Sequence, residues 1–537
     1  LFPKKLGRAV ICNHDEPIVR TKAGKLRGLI VDGTYIFRGI KYADAKRFRM
    51  PEPVRPWDGV KEAIIFGPVC TEIQTGIAHD AYYVPHFYYP QDEHCQYLNI
   101  WTQSPDSKAK KPVMVWLHGG GFSTGSSVEL FAYDGENLSR HGDVVVVSLN
   151  HRLNVLGFLD LSPYSEKFRY SANIGMADIV AALRWIRDNI EAFGGDPDNV
   201  TIMGQSGGGG KVAALLQIPS ADGLYKQAVI QSGMTPGGRN TLPSDAQKLS
   251  ALILENLGIS PENVDEIQRV PIYKLNRAAF KAQERLAAEG IRIGWGPVYD
   301  NDFYKGNALS EAGFREETKH IPIIIGSNMG EFAGNATRSP YEAAVRDWTP
   351  EQREKLYDET FGPDKEKARA AFRKAYPDKD EAYAPLVDTM FREGVIAYSK
   401  ARAKAGCAPC YTYMFSLEMP YLGGTLAWHN AEEAYMFHNA ECLEASYIPG
   451  VSERLQDVMT GAWVAFARTG DPNHAEMPAW YPVTSERDAT MIFDTKCEMR
   501  YDFDHELIKL LSASGRPGFA GLFSGMRSLG GGPRQAI

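Results

Sequence analysis

The chain has 537 residues, 44% of them hydrophobic and 23% charged. With 9 Trp, 26 Tyr and 24 Phe it carries enough apolar side chain for a large core and too much for wholesale disorder. Its 59 Lys and Arg against 66 Asp and Glu leave a net charge of −7 and a pI near 6.0, which argues against a dedicated nucleic-acid surface. No apolar run approaches the ~18 residues that a membrane span needs, so a globular protein acting away from the bilayer core is expected.

The opening Leu1-Phe-Pro-Lys-Lys5 shows no apolar h-region of a signal peptide. Sequons begin at Asn137, Asn199 and Asn335; they permit glycosylation but occur readily by chance, so the compartment stays open, with a secreted or periplasmic location weighed slightly above a cytoplasmic one. Seven cysteines (Cys12, Cys70, Cys95, Cys407, Cys410, Cys442 and Cys497) are too few for a disulfide scaffold, and the odd count leaves at least one unpaired if all bonds are internal.

Along the chain, Val19 to Phe37 holds two turn signals, Ala23-Gly24 and Asp32-Gly33, between short alternating runs, and reads as a β meander. Val113–Leu117, Val144–Ser148, Val200–Met203, Ala228–Gln231 and Pro322–Ile325 are apolar on both faces, as a parallel sheet requires. Met176, Ile179, Leu183, Ile186 and Ile190 recur at helical spacing, and Gly194-Gly195 supplies the stop. Alternating strands and helices predict one α/β domain over residues 1–537, with a mostly parallel central sheet flanked by helices. Roughly 235–320 and 336–405 are charged and helix-patterned, and are expected as insertions above the strand ends. The tail Gly530-Gly-Gly-Pro533 is expected to fray.

The pattern Gly-x-Ser-x-Gly occurs twice, as Gly121-Phe-Ser123-Thr-Gly125 and Gly204-Gln-Ser206-Gly-Gly208. A nucleophile elbow must pass from a strand through a strained turn into a helix, lifting the serine Oγ above the sheet. Ser206 follows the run Val200–Met203 and precedes the helical Lys211–Leu216, so it is the expected nucleophile. Ser123 follows a glycine-rich loop and reads as a loop serine. His118-Gly-Gly-Gly-Phe122, directly after the strand ending at Leu117, stands where an α/β-hydrolase draws part of its oxyanion hole. Backbone N–H groups of Gly120, Gly121 and Gly207 are the expected donors.

Taken in order, these motifs resemble the type-B carboxylesterase and cholinesterase family of α/β-hydrolases. The resemblance runs from about Val19 to Pro482. It is carried by Phe37-Arg-Gly-Ile-Lys-Tyr-Ala43, Glu93-His-Cys-Gln-Tyr-Leu-Asn99, Gly119–Phe122, Asn150-His-Arg152 and Phe193-Gly-Gly-Asp-Pro197. Gly204–Gly208, Gln231-Ser-Gly233 and Phe466-Ala-Arg-Thr-Gly-Asp-Pro472 complete it. The resemblance implies an α/β-hydrolase fold with helical insertions lining an active-site gorge. Ile323 to Glu331 is similar to the family's acid-bearing loop, which gives Glu331 that role. His429-Asn-Ala-Glu432 resembles the histidine loop and gives His429 the base, with Asn430 where the family usually has glycine. His438 is the nearest rival histidine.

The expected activity is therefore hydrolysis of carboxylic esters through an acyl-enzyme on a Ser206–His429–Glu331 triad, with no metal or organic cofactor. Its partner would be a small-molecule ester, neutral and short to medium in length. An inactive binding or adhesion member of the family, or a lipase or amidase with the same triad, are the alternatives. The oligomeric state stays open. The family also implies a Cys70–Cys95 disulfide, which would stabilise by ~3 kcal/mol through chain entropy. The segment it closes contains no Trp, although Tyr82, Tyr83, Phe87, Tyr88 and Tyr89 crowd it, and Gln205 replaces the Glu that many relatives place before the serine. Both departures disfavour a cationic alcohol. Two constellations read as bland: Cys407-Ala-Pro-Cys410 leads into a strand rather than a helix, and His79, His86, His94 and Cys95 lack convincing zinc-ligand spacing.

Overall fold

A computed structural model describes residues 7–72, 85–236, 241–300, 302–332 and 345–514. His79, Tyr82, Tyr83, Asn335 and the glycine-rich tail lie outside these residues. The central twelve-stranded sheet comprises β1 (Val10–Ile11), β2 (Leu29–Val31), β3 (Thr34–Lys41), β4 (Tyr97–Thr102), β5 (Lys111–Leu117) and β6 (Val145–Leu149). It continues with β7 (Gly195–Gln205), β8 (Gln227–Gln231), β9 (Ile323–Asn328), β10 (Cys410–Phe415), β11 (Ala489–Phe493) and β12 (Glu498–Tyr501). Their spatial order is β1-β2-β3-β4-β6-β5-β7-β8-β9-β10-β11-β12. From β6 to β11 all neighbours are parallel, and both ends of the sheet are antiparallel. This is the α/β-hydrolase fold.

The expected meander is present but divided. Asp32 (φ 47°) and Gly33 (φ 87°) turn β2 into β3, whereas Ile18–Arg20 and Lys25–Arg27 pair in a separate small sheet. In β5 the alternation separates two cores. Val113, Val115 and Leu117 face one side with helix Ile174–Asn189, and Met114 and Trp116 face the other with helix Ser452–Thr469. Burial on both faces explains why the central strands read as continuous apolar runs, each large side chain contributing about 1.5–3 kcal/mol of transfer energy.

The helices used below are α1 (Gly135–Gly142), α2 (Ile174–Asn189), α3 (Gly207–Leu215), α4 (Pro243–Leu257) and α5 (Ile272–Ala288). They are followed by α6 (Pro350–Phe361), α7 (Lys365–Ala375), α8 (Met390–Lys404), α9 (Glu433–Met436) and α10 (Ser452–Thr469). The predicted periodicity of α2 holds: Met176, Ile179, Leu183 and Ile186 are fully buried, as is Ile190, which opens a short 3₁₀ turn that ends at Gly194 with φ 82°. Within 235–320, α4 and α5 bury Leu249, Ile253, Leu275 and Ala282 against Leu153–Leu161 in a core of their own. Within 336–405, α6 opens on a Thr349–Gln352 capping box. In contrast, α8 packs on the sheet itself, and its Val395 and Tyr398 join the main core.

The expected Cys70–Cys95 disulfide is not formed. Both residues are buried free thiols, as neighbours close enough to hydrogen-bond, and Cys70 Sγ accepts the Leu153 N–H at 3.2 Å. Burial pushes the Cys95 thiol well up. The other five cysteines are free as well, and burial pushes Cys410 up to about 12, consistent with an inert Cys407–Cys410 pair.

Candidate active site

The candidate residues sit where the parallel strands end at their carboxyl edge. Ser206 follows β7 directly and precedes α3, with φ 56° and ψ −124°. Non-glycine residues avoid this region, and such a conformation persists only where its surroundings over-determine it. Here the Ser206 N–H donates to Gln231 O at 2.8 Å, and the Ser206 carbonyl accepts from Gly210 N–H at 2.9 Å. Glycine is needed on both sides for space. A Cβ on Gly204 would lie 2.6 Å from Leu117 O, and one on Gly208 only 1.9 Å from the same oxygen.

The loop after β5 comes in from the other side. A Cβ added to Gly207 would lie 2.4 Å from Gly121 N, so the backbones of the two motifs nearly touch. Gly120 (φ 80°) and Gly121 (φ 63°) are left-handed. Among the described residues, the N–H groups of Gly120, Gly121 and Gly207 donate to no protein acceptor. Ser123 lies within this turn, its N–H bonded to Gly120 O at 3.2 Å and its carbonyl accepting from Asn154 Nδ2 at 3.1 Å.

Glu331 lies just past β9 in a loop held by Gly330 N–H on Ala427 O (2.9 Å) and by a bridge between Glu331 and Trp428. That bridge sets the carboxylate beside His429. Glu331 Oε2 contacts His429 Nδ1, while Oε1 accepts from Ser232 Oγ at 2.6 Å and Asn328 N–H at 2.7 Å. Burial pushes the Glu331 carboxyl up to about 8, against the two donors, which favour its charged form. Gln205 Nε2 lies 3.3 Å from both ring nitrogens of His429, which sets the serine elbow next to the imidazole. The His429 ring packs against Phe391 (centroids 5.3 Å, 9°) and Phe332 (4.2 Å, 38°), which also touch each other at 6.3 Å. Asn430 takes φ 69°, so asparagine keeps the left-handed turn that glycine would supply. His438 is elsewhere, bonded to Asp457 at 2.8 Å.

Several supporting residues escaped the sequence reading. Ser232, left-handed at φ 45°, follows β8 within the Gln231-Ser-Gly233 motif, and its place after a parallel strand was the available signal. Glu432 is buried behind the histidine loop, takes Asn328 Nδ2 at 2.5 Å, and is pushed up to about 7 by burial and by Glu331. Phe391 on α8 had no local signal at all. Lys211, on α3, is fully buried and donates to His118 O at 2.8 Å; burial lowers it to about 7. Burial and this neighbouring ammonium also keep His118 and His151 neutral.

The aromatic loop divides. Phe87 (41% exposed) and Tyr88 (64% exposed) face solvent, Phe87 against Phe131 at 4.3 Å, whereas Tyr89 packs edge-on to Phe66 at 5.5 Å. Asn137 is half-buried, and its amide donates to His438 O and Asn439 Oδ1. No helix among the described residues is long and apolar enough to cross a membrane.

The sequence profile of the carboxylesterase family matches residues 15–508. The para-nitrobenzyl esterase of Bacillus subtilis (strain 168) is 32% identical over 502 residues, covering 91% of this chain and 97% of that protein. The phenmedipham hydrolase of Pseudarthrobacter oxydans is 31% identical over 518 residues, with 92% and 99% covered. Among solved structures, an esterase from anaerobic Clostridium hathewayi that hydrolyses aliphatic aromatic polyesters is 45% identical. It superposes with a TM-score of 0.89 over 95% of this chain and 100% of its own.

Proposed function

Because the chain belongs to the carboxylesterase family and is a carboxylic ester hydrolase, we propose that it works through an acyl-enzyme on Ser206. Ser206 Oγ attacks the ester carbonyl carbon as His429 Nε2 takes the hydroxyl proton. Glu331 accepts the Nδ1–H, keeps the imidazole in the useful tautomer and stabilises the imidazolium. The N–H groups of Gly120, Gly121 and Gly207 receive the developing oxyanion, each donor contributing ~10²–10³ in rate. His429 then protonates the departing alcohol, and water repeats the sequence on the acyl carbonyl. No step calls for a metal or an organic cofactor.

The observation that carries this reading is the buried Glu331–His429 contact beside the strained serine elbow. An aryl organophosphate tests it. One equivalent should label Ser206 and end turnover, and the Ser206→Ala protein should take up none. Labelling at another residue, or none in the wild type, rejects the acyl-enzyme and restores the inactive-binder alternative.

Neutral esters are the proposed substrate class. The residue beside His429 is the uncharged Gln205, and the loop between Cys70 and Cys95 has no Trp to hold a quaternary ammonium. An uncharged acetate ester should exceed acetylcholine by at least ~10-fold in kcat/KM, about 1.4 kcal/mol. Equal turnover of the two removes the proposal.

A further inference from the structure

Two groups of histidine and carboxylate side chains outside the catalytic centre are gathered closely enough to hold a metal ion among the described residues. The first, Asp488, Asp504 and His505, is already neutralised from within. The fully buried Arg392 guanidinium sits 2.7 Å from Asp504 and 3.0 Å from Asp488, so a cation there would face a fixed positive charge. The second has no such tenant. His141 ends α1, His438 follows α9, and Asp457 lies on α10; their ligand atoms all lie within 4.8 Å of one another.

This second group is built by the fold. Asn137 and His141 are four residues apart on α1 and therefore share a face. Asn137 Nδ2 holds the His438 carbonyl at 3.2 Å, and His141 stacks on the His438 ring with centroids 4.2 Å apart. His438 is left-handed at φ 62°, and its Nε2 lies 2.8 Å from Asp457 Oδ1. His141 makes no hydrogen bond among the described residues, so its ring nitrogens are free to ligate.

From this juxtaposition we propose that His141, His438 and Asp457 form a zinc site, with water completing a tetrahedron. Two imidazoles and one carboxylate suit Zn²⁺ and not the oxygen-seeking Ca²⁺ or Mg²⁺. Zn–N and Zn–O bonds of about 2.0–2.1 Å place ligand atoms about 3.3 Å apart. The group reaches that spacing by a rotation of the partly exposed His141 ring. Bound zinc would tie α1, the turn after α9 and α10 together, only nine residues beyond His429. The site is independent of how the ester is cleaved.

Calorimetric titration of the EDTA-stripped full chain with zinc sulfate alone tests this. One equivalent should bind with a Kd of about 1–10 µM, the thermal midpoint should rise by about 2–4 °C at saturation, and Ca²⁺ should do neither. The His141→Ala and Asp457→Asn variants should each lose at least ~10-fold in affinity, whereas His320→Ala, at an exposed histidine outside the group, should bind as the wild type does. His141→Ala alters a surface side chain, and its unchanged midpoint without zinc serves as the folding control. No one-equivalent binding, or binding unchanged in His141→Ala, overturns the site.

Discussion

The two Gly-x-Ser-x-Gly segments are the same five-residue pattern in opposite surroundings. Gly204–Gly208 is clamped: β7 leads in, α3 leads out, and the serine is forced into φ 56° by hydrogen bonds at both of its backbone groups. Gly121–Gly125 is a turn between β5 and α1, and its serine is half-buried with its N–H bonded back to Gly120 O. The pairing teaches that glycine does two jobs. In the elbow it removes a side chain where carbonyls crowd, whereas in the loop it supplies left-handed φ and leaves N–H groups free. The segments still cooperate, because Gly207 and Gly121 meet backbone to backbone.

The sharpest break of this comparison is at the serines. Ser206→Ala should lower kcat for a p-nitrophenyl ester by ~10⁴ or more, while Ser123→Ala stays within about threefold of wild type. Comparable losses in the two would mean that context does not separate them.

The glycines come next. Gly208→Ala places a Cβ 1.9 Å from Leu117 O and should cost at least about 3 kcal/mol in urea unfolding. Gly121→Ala meets only Ser123 N at 4.0 Å, so it should cost only the left-handed strain of about 1 kcal/mol. A larger loss at Gly121 than at Gly208 would reverse the assignment of space to one and φ to the other.

Lys211 sharpens the comparison further, since it leaves the elbow on α3 and holds His118 O at the start of the other segment. Burial depresses it from 10.5 to about 7, so between pH 7 and 10.5 the unfolded chain binds more protons than the native one. This residue should therefore make stability rise with pH across that window, by up to about 1.4 kcal/mol per pH unit, and its penalty is fully present below pH 7. Lys211→Met should remove that slope and be relatively most favourable at low pH, as read from urea midpoints of the two proteins at pH 6, 8 and 10. Parallel pH curves for the two proteins would show that the ammonium is not desolvated.

Much of the chain was legible from the sequence because its signals are local. Continuous apolar runs mark strands buried on both faces, the 3-4-3-4 spacing of Met176 to Ile190 marks α2, and a strand–glycine–helix order marks Ser206. Motif order within the family then led to Glu331 and His429, which no local pattern distinguishes among 66 acidic residues and 12 histidines. The disulfide was misread. The family pattern pairs Cys70 with Cys95, but the two stand as buried free thiols, and a sequence motif does not encode the sulfur–sulfur geometry that a disulfide requires.

What the sequence by itself determined is the strand succession and the α/β class, because periodicity and glycine placement act within a few residues. Only the tertiary structure decided which groups meet. Ser232 reaches Glu331 across 99 positions, Phe391 stacks on His429 from α8, Lys211 holds His118 across 93, and His141 faces His438 across nearly 300. Such contacts are set by how the parallel strands bring their carboxyl ends to one edge and by which helices cover them, and no stretch of local sequence encodes that.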